Sequence, residues 1–193
     1  MAPHILTILG STRQGRKGDA VSRWFMERAS GRADATFELV DLRDWPLPFT
    51  DSPIPPAFGD YDPAARRWAE KVGTADGFVF ITPEYNHGYP AVLKNALDHI
   101  YHEWTNKPGA IVSYGSYGAG YRAAEQLRQV LIELQVAPIR AQIGIPAVWA
   151  AFDEQGTLRD TGQNRSAETL LDELLWWTRA LKRAREADVK AAG

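Results

Sequence analysis

The chain has 193 residues, of which 45% are hydrophobic and 24% charged, and its formal net charge is -2 at pH 7. This size and composition predict one globular domain over residues 1–193, and the near-neutral charge favours neither nucleic acid nor a membrane surface as partner. The absence of cysteine excludes thiol catalysis, disulfide bonds and cysteine-ligated metal. No apolar run approaches the ~20 residues that a spanning helix needs, so we expect a soluble cytoplasmic protein.

Apolar runs of strand length alternate along the chain with segments of helical periodicity. A loop rich in proline covers residues 43–60. In chain order the pattern predicts strand His4–Leu9, helix Asp19–Ala29, strand Phe37–Val40, helix Pro63–Val72, strand Gly77–Ile81, helix Ala91–Tyr101, strand Ala110–Ser113, helix Tyr121–Leu134, strand Ile139–Ile145 and helix Ser166–Arg185.

Strand followed by helix, five times over, indicates an α/β fold with a five-stranded parallel sheet covered on both faces. Five strands favour the doubly wound order 2-1-3-4-5. Ligands of such sheets bind at the carboxyl ends of the strands, beside the point where the strand order reverses. We therefore expect the loops after strands 1, 3 and 4 to form one site.

The first of these loops has the composition of a phosphate site. It runs from Gly10 to Gly18 and contains two hydroxyls, three glycines and three cations immediately before a helix. The N–H groups at a helix start attract a phosphate, Ser11 can donate a hydrogen bond, and Arg13 can hold a pair of phosphate oxygens. A polar turn with solvated arginines remains the alternative.

Two familiar phosphate motifs do not match this loop. The glycine spacing of a nucleotide-triphosphate P-loop is present, but Arg16 replaces its lysine and Lys17 replaces its magnesium-binding hydroxyl residue. Thr12 stands where the dinucleotide fingerprint needs its second glycine. The terminal phosphate of a mononucleotide fits better.

The second loop suits the edge of a planar heteroaromatic ring. Two prolines stiffen it, tyrosines supply flat faces, and Asn86 can both donate and accept hydrogen bonds. The segment from Pro83 to Asp98 reads PEYNHGYPAVLKNALD, and with Gly10-Ser11-Thr12-Arg13 it resembles the NAD(P)H-dependent FMN reductase family of flavodoxin-like quinone, azo-dye and chromate reductases. The resemblance covers residues 4 to 150 and implies a flavodoxin-like three-layer sandwich.

The resemblance also implies cofactors, roles and partners. FMN is the expected cofactor, NADPH or NADH the co-substrate, and the electron acceptor is free flavin, a quinone, an azo compound or a metal oxyanion. Many members have a serine where Gly18 stands, and Arg16 is expected to compensate for it. Assembly as a homodimer or homotetramer is implied. The expected FMN contacts are Ser11, Arg13, Arg16, Pro83, Glu84, Tyr85, Asn86, Tyr114, Gly115, Ser116 and Gly118, the last four of them wrapping the pyrimidine side of the flavin.

Two other functions are alternatives to this enzyme. A hydrolase nucleophile at Ser116 needs glycine two residues earlier, where Tyr114 stands, and a histidine later in the chain, where none occurs. A flavodoxin-like electron carrier or flavin-binding regulatory module, without nicotinamide turnover, remains the alternative. Neither a metal site nor an obligatory catalytic acid or base is expected, because hydride transfer is the chemistry of the cofactor.

Overall fold

A computed structural model describes residues 2–59 and 61–192. Its central feature is a five-stranded parallel sheet in the order β2-β1-β3-β4-β5, as the alternation of strand and helix predicts. The elements are β1 His4–Leu9, α1 Gly18–Ser30, β2 Thr36–Asp41, α2 Pro63–Gly73, β3 Gly77–Pro83, α3 Ala91–Asp98, β4 Pro108–Tyr114, α4 Tyr121–Glu133, β5 Ala137–Ile145 and α5 Gly162–Ala192.

The helices form two layers, because side chains of each central strand point alternately to opposite faces. Ile5 and Leu9 pack with residues of α1 and α5, whereas Leu6 and Ile8 pack with residues of α2, α3 and α4. Every residue of β3 and β4 is buried, as expected for strands covered on both faces. This three-layer arrangement confirms the predicted fold class. No helix in the described part of the chain is long and apolar enough to cross a membrane.

Helix α3 is shorter than predicted and ends at Asp98 instead of Tyr101. The carbonyls of Ala96 and Leu97 would have to accept the N–H groups that continue the helix. They accept indole N–H groups instead, from Trp68 at 2.8 Å and Trp104 at 3.2 Å. The prediction of three further helical residues was therefore wrong, because side chains distant in sequence occupy the helix end.

Strand β5 lies at the edge of the sheet and contains an irregularity. Its register against β4 shifts between Gly109 and Ile111. Nearby, the Glu173 carboxylate on α5 accepts hydrogen bonds from the backbone N–H groups of Arg140 and Ala141, each at 3.0 Å. A side chain of α5 thus satisfies backbone donors that the ladder does not use.

Candidate functional site

The loops after β1, β3 and β4 meet at the carboxyl edge of the sheet, and a hydroxyl pair joins the first two. Ser11 is fully buried, and its Oγ lies 2.8 Å from the hydroxyl of Tyr85 in the second loop. The serine predicted to contact phosphate therefore faces the interior of the loop cluster. This contact fixes the first loop against the second.

Arg16 is the most extensively bonded side chain of the first loop. Its Nε donates to the Asp19 carboxylate at 2.8 Å, and Nη2 lies 2.6 Å from the same oxygen. Nη1 donates to Asp41 at 2.7 Å and also to the Ser11 carbonyl, and Nη2 pairs with the second Asp41 oxygen. Hydrogen bonds thus occupy four of the five N–H donors of the guanidinium, and Nη2 is also in ion-pair contact with Asp19. A phosphate contact from Arg16, as predicted from the sequence, would compete with these two carboxylates.

The pairing with Arg16 also controls the ionisation of Asp41 at the end of β2. Burial alone would raise the pKa of this carboxyl, but the hydrogen bonds from Arg16 and from the backbone N–H of Arg43, together with the charges of both arginines, outweigh that effect and lower it. Asp41 is therefore held ionised beneath the loop. Arg16 and Asp41 together form a buried ion pair that ties the first loop to the sheet.

Arg13 differs from Arg16, because its side chain is exposed and forms no hydrogen bond or ion pair with any described residue. Its backbone is nevertheless fixed: Arg43 donates to the carbonyl of Thr12 at 3.3 Å and to that of Arg13 at 2.5 Å. Lys17 is exposed beside it at the start of α1. The loop thus has a rigid backbone and two cations that can bind an anion.

The second loop continues β3 and turns sharply. Tyr85 and Gly88 exchange backbone hydrogen bonds of 2.8 and 3.0 Å across two central residues, Asn86 and His87, whose φ angles are +50° and +69°. Two consecutive positive φ angles are typical of a type I′ turn, where asparagine is favoured. The turn leaves the Asn86 side chain exposed.

The Glu84 carboxylate of the second loop has one hydrogen-bonded oxygen and one oxygen without a partner among the described residues. Its Oε1 accepts a hydrogen bond from Arg122 Nε at 2.6 Å, and the pair connects the loop to the first turn of α4. Its Oε2 is buried and has no hydrogen-bond partner in the described part of the protein. A buried carboxylate oxygen without a partner is costly, so it indicates a donor that the protein itself does not provide.

The third loop approaches the second closely. Glu84 N–H donates to the Tyr114 carbonyl at 3.0 Å, and Gly115 N–H donates to the Ile145 carbonyl at 3.2 Å. Gly120 has a φ of +80°, and a Cβ there would lie 2.8 Å from backbone and side-chain atoms of residues 113 and 114. Only glycine fits this position, so the tight turn of the third loop depends on Gly120.

The hydroxyl of Tyr114 is a second buried polar atom without a hydrogen-bond partner among the described residues. Burial, as the largest cause, and the neighbouring Tyr85 raise the pKa of Tyr114 above its ordinary value, so it remains a protonated donor. The hydroxyl lies beside the first residue of α1, where a Cβ on Gly18 would be 2.6 Å from it. Tyr114 and Leu9, whose Cδ1 would be 2.8 Å from the same Cβ, therefore fill the space that a side chain at position 18 would need.

A cavity of about 410 Å³ opens where the three loops meet. Eight of the predicted contact residues line it: Arg13, Arg16, Pro83, Glu84, Tyr85, Tyr114, Gly115 and Ser116. Ser11, Asn86 and Gly118 do not line it. Val148 and Trp149, which follow β5, also line the cavity, as do Gly15 and Lys17 of the first loop, and none of these four was predicted from the sequence as a contact. Val148 and Trp149 could have been expected near the cavity from the predicted strand order, because strand 5 lies beside strand 4 and its carboxyl end is at the same edge of the sheet.

A larger groove of about 760 Å³ lies elsewhere, beside β5, and is lined by residues of α4, β5 and α5. None of the three predicted loops contributes to it. It is also wide open to solvent, and among the described residues no buried polar atom without a partner belongs to its lining. Size alone therefore does not identify the binding site, and the smaller cavity is the better candidate.

The residues around the 410 Å³ cavity fit FMN. The cavity is within the range that binds small cofactors. The first loop contributes Arg13 and Lys17, the residue just before α1, and these suit a phosphate. The second loop contributes Glu84, whose buried Oε2 is an acceptor that a ring N–H such as that of isoalloxazine would satisfy.

The chain is similar in sequence to several known proteins. Residues 3–150 match the model of the NADPH-dependent FMN reductase family. The chain is 44% identical over 151 residues to an NAD(P)H-dependent FMN reductase of Schizosaccharomyces pombe, which spans 76% of this chain and 75% of that protein. It is 31% identical over 168 residues to a quinone reductase of Pseudomonas putida, with coverage of 81% and 84%.

Among solved structures, the flavoenzyme NAD(P)H:(acceptor) oxidoreductase FerB of Paracoccus denitrificans superposes with a TM-score of 0.74. The sequences are 20% identical, and the alignment covers 93% of this chain and 98% of that one. At this identity the similarity concerns the fold, and it agrees with the observed strand order.

Proposed function

The chain belongs to the NADPH-dependent FMN reductase family, and on this premise we propose that it is an NAD(P)H-dependent flavin oxidoreductase that reduces quinones. The observation that carries the proposal is the lining of the 410 Å³ cavity. It combines Arg13 and Lys17, two cations that pair with no described residue, with Glu84, whose buried Oε2 has no partner among the described residues, and these suit the phosphate and the ring N–H of FMN.

In this proposal the protein residues bind and orient the cofactor. Arg13 and Lys17 hold the phosphate, while Glu84, kept in place by Arg122, accepts a hydrogen bond from the ring. Ser11 acts through its bond to Tyr85, which keeps the two loops together. When bound, FMN supplies the redox chemistry between the nicotinamide nucleotide and a second acceptor. A quinone is the proposed acceptor, because relatives bear that name.

Further parts of the proposal follow from the family and from the cavity. If both co-substrates use this cavity, they bind in turn, which predicts ping-pong kinetics. We also propose that residues 1–193 form one domain that assembles as a homodimer or homotetramer. The proposed location is the cytoplasm, where nicotinamide nucleotides serve as reductants. Parallel lines in double-reciprocal plots test the kinetics, and the molar mass in solution tests the assembly.

Anaerobic reduction of the FMN-loaded protein by NADPH, and separately by NADH, tests the enzymatic function. We expect the flavin absorbance near 450 nm to bleach with one nucleotide equivalent and to return when a quinone is added. A protein that binds FMN but is reduced by neither nucleotide would instead be an electron carrier or a regulatory module. A protein that does not bind FMN would contradict both functions.

Substitution of Arg13 tests the location of the phosphate. Arg13→Ala removes one charged hydrogen-bonding group, so we expect FMN affinity to fall by about 1.5–3 kcal/mol, or roughly 10- to 150-fold. Arg28→Ala is the matched control, because Arg28 is also exposed but lies in the last turn of α1, at the opposite end of the helix. Equal FMN affinity in both variants would place the phosphate elsewhere.

A further inference from the structure

Two exposed aromatic side chains stand together at the mouth of the cavity. The rings of Tyr117 and Trp149 meet edge to face, with centroids 5.8 Å apart and an angle of 90° between their planes. Tyr117 is 85% exposed and Trp149 is 55% exposed, so much of both rings faces solvent. Trp149 also lines the cavity, together with Glu84 and Tyr85.

Backbone hydrogen bonds hold the Trp149 turn against the third loop. Ala147 N–H donates to the Ser116 carbonyl at 3.1 Å, and Val148 N–H donates to the Gly115 carbonyl at 3.0 Å. Within the turn, Ala150 N–H donates to the Ala147 carbonyl at 2.8 Å. The two aromatic residues thus belong to two loops joined by these bonds, and the aromatic surface is preorganised beside the cavity.

The two segments that carry the pair have no charge. Residues 110–121 and 141–152 contain no lysine, arginine, histidine, aspartate or glutamate. The first charged residue after the third loop is Arg122, whose guanidinium lies beside Gly118 and is paired with Glu84. An aromatic surface whose neighbouring charge is already paired suits a neutral planar ring. The cations of the cavity, Arg13 and Lys17, belong to the first loop.

We propose that Tyr117 and Trp149 form the binding surface for a neutral quinone, with Trp149 contacting the quinone ring and Tyr117 supporting the indole. The proposal rests on the proposed function and adds two residues that determine which acceptor is bound. It predicts that neutral aromatic acceptors depend on this pair, whereas ferricyanide, an anion without an aromatic ring, does not.

The experiment compares Trp149→Ala, Trp149→Phe and Tyr117→Ala in the FMN-loaded protein. As control we choose Trp176→Ala, because Trp176 is 59% exposed and also forms an edge-to-face pair, with Trp177, but lies on α5 outside the cavity. The probe is menadione, 2-methyl-1,4-naphthoquinone. Its binding to the oxidised protein is measured calorimetrically, and its KM is measured in turnover.

In Trp149→Ala we expect the menadione Kd and KM to rise roughly 3- to 10-fold, the value of one lost aromatic contact. Trp149→Phe should retain most of the affinity, and Tyr117→Ala should show a smaller loss. In Trp176→Ala all of these values should stay within about 2-fold of wild type. In Trp149→Ala and Tyr117→Ala the loss of menadione affinity should exceed any change in the rate of anaerobic reduction by NADPH or in the KM for ferricyanide.

Two results would overturn the inference. One is an unchanged menadione Kd in Trp149→Ala. The other is a loss confined to the NADPH step, which would make the pair a nicotinamide site. Failure of the proposed function would look different, because the wild-type protein itself would then bind no FMN or fail to oxidise NADPH.

Discussion

Removal of the Arg16 guanidinium should destabilise the protein even when no flavin is bound. The Arg16 side chain is 2% exposed and that of Asp41 is 22% exposed, so Arg16→Met leaves a largely buried carboxylate without its partner. Breaking a buried pair from one side typically costs about 3–5 kcal/mol. Because Asp41 retains some contact with water, we expect the lower end of that range, about 3 kcal/mol.

The assay is urea unfolding of the FMN-free protein at pH 7, followed by tryptophan fluorescence. Arg28→Met is the control for loss of an exposed arginine, and Asp41→Asn should reproduce most of the Arg16→Met effect. The double variant should lose less than the sum of the two single losses, because both remove the same interaction. An unfolding free energy within about 0.5 kcal/mol of wild type, combined with weaker FMN binding, would refute the ion-pair role and restore Arg16 as a phosphate ligand.

The same ion pair has a pH dependence of defined sign. The pKa of Asp41 is lower in the folded protein than its ordinary value, so the unfolded chain binds the proton more readily. The stabilisation is therefore complete above the unfolded carboxyl pKa of ~3.9 and is lost as pH falls through the folded pKa. Wild type should lose stability more steeply than Arg16→Met in this acid range.

Three other substitutions test separate features. Glu84→Gln should weaken FMN binding by about 1–3 kcal/mol in a fluorescence titration, because an amide N–H can replace the buried acceptor, and unchanged affinity would remove Glu84 from the flavin site. Gly18→Ala should cost about 1–3 kcal/mol in urea unfolding, because its methyl group would clash with the Tyr114 hydroxyl and with Leu9 Cδ1, and a Tyr114→Phe background should relieve only the part due to the hydroxyl. Burial lowers the pKa of Lys107 to about 8, so between pH 8 and ~10.4 the unfolded state binds more protons and stability rises with pH. Lys107→Met should therefore unfold at higher urea than wild type at pH 7, with the gain shrinking toward pH 10, and a gain independent of pH would contradict the charge argument.

The sheet could be predicted from the sequence because its signals are local. Each strand is a short apolar run beside a turn residue, and the prediction for β1, His4–Leu9, coincides with the structure. The meeting of three loops followed from the strand order alone. The end of α3 could not be predicted, because it depends on indole donors from Trp68 and Trp104 whose positions are fixed only in the folded chain.

The candidate site was predictable in outline, whereas the roles of its arginines were not. Arg13 and Arg16 are the same residue type three positions apart, and both suit a phosphate. The structure distinguishes them because β2 places Asp41 where it pairs with Arg16. Arg13 has no partner among the described residues. The contact of Trp149 with the cavity could not be predicted for a similar reason. It depends on hydrogen bonds from Ala147 and Val148 to Ser116 and Gly115, in a loop more than 30 residues earlier in the chain.

The Glu173 carboxylate limits how copies of this protein can associate. A strand of another chain can extend a sheet only along a regular row of free backbone groups. At the irregularity of β5, the N–H groups of Arg140 and Ala141 are already taken by Glu173. Continuous strand addition along β5 is thereby discouraged, which lowers the tendency of this edge of the sheet to grow into fibrils.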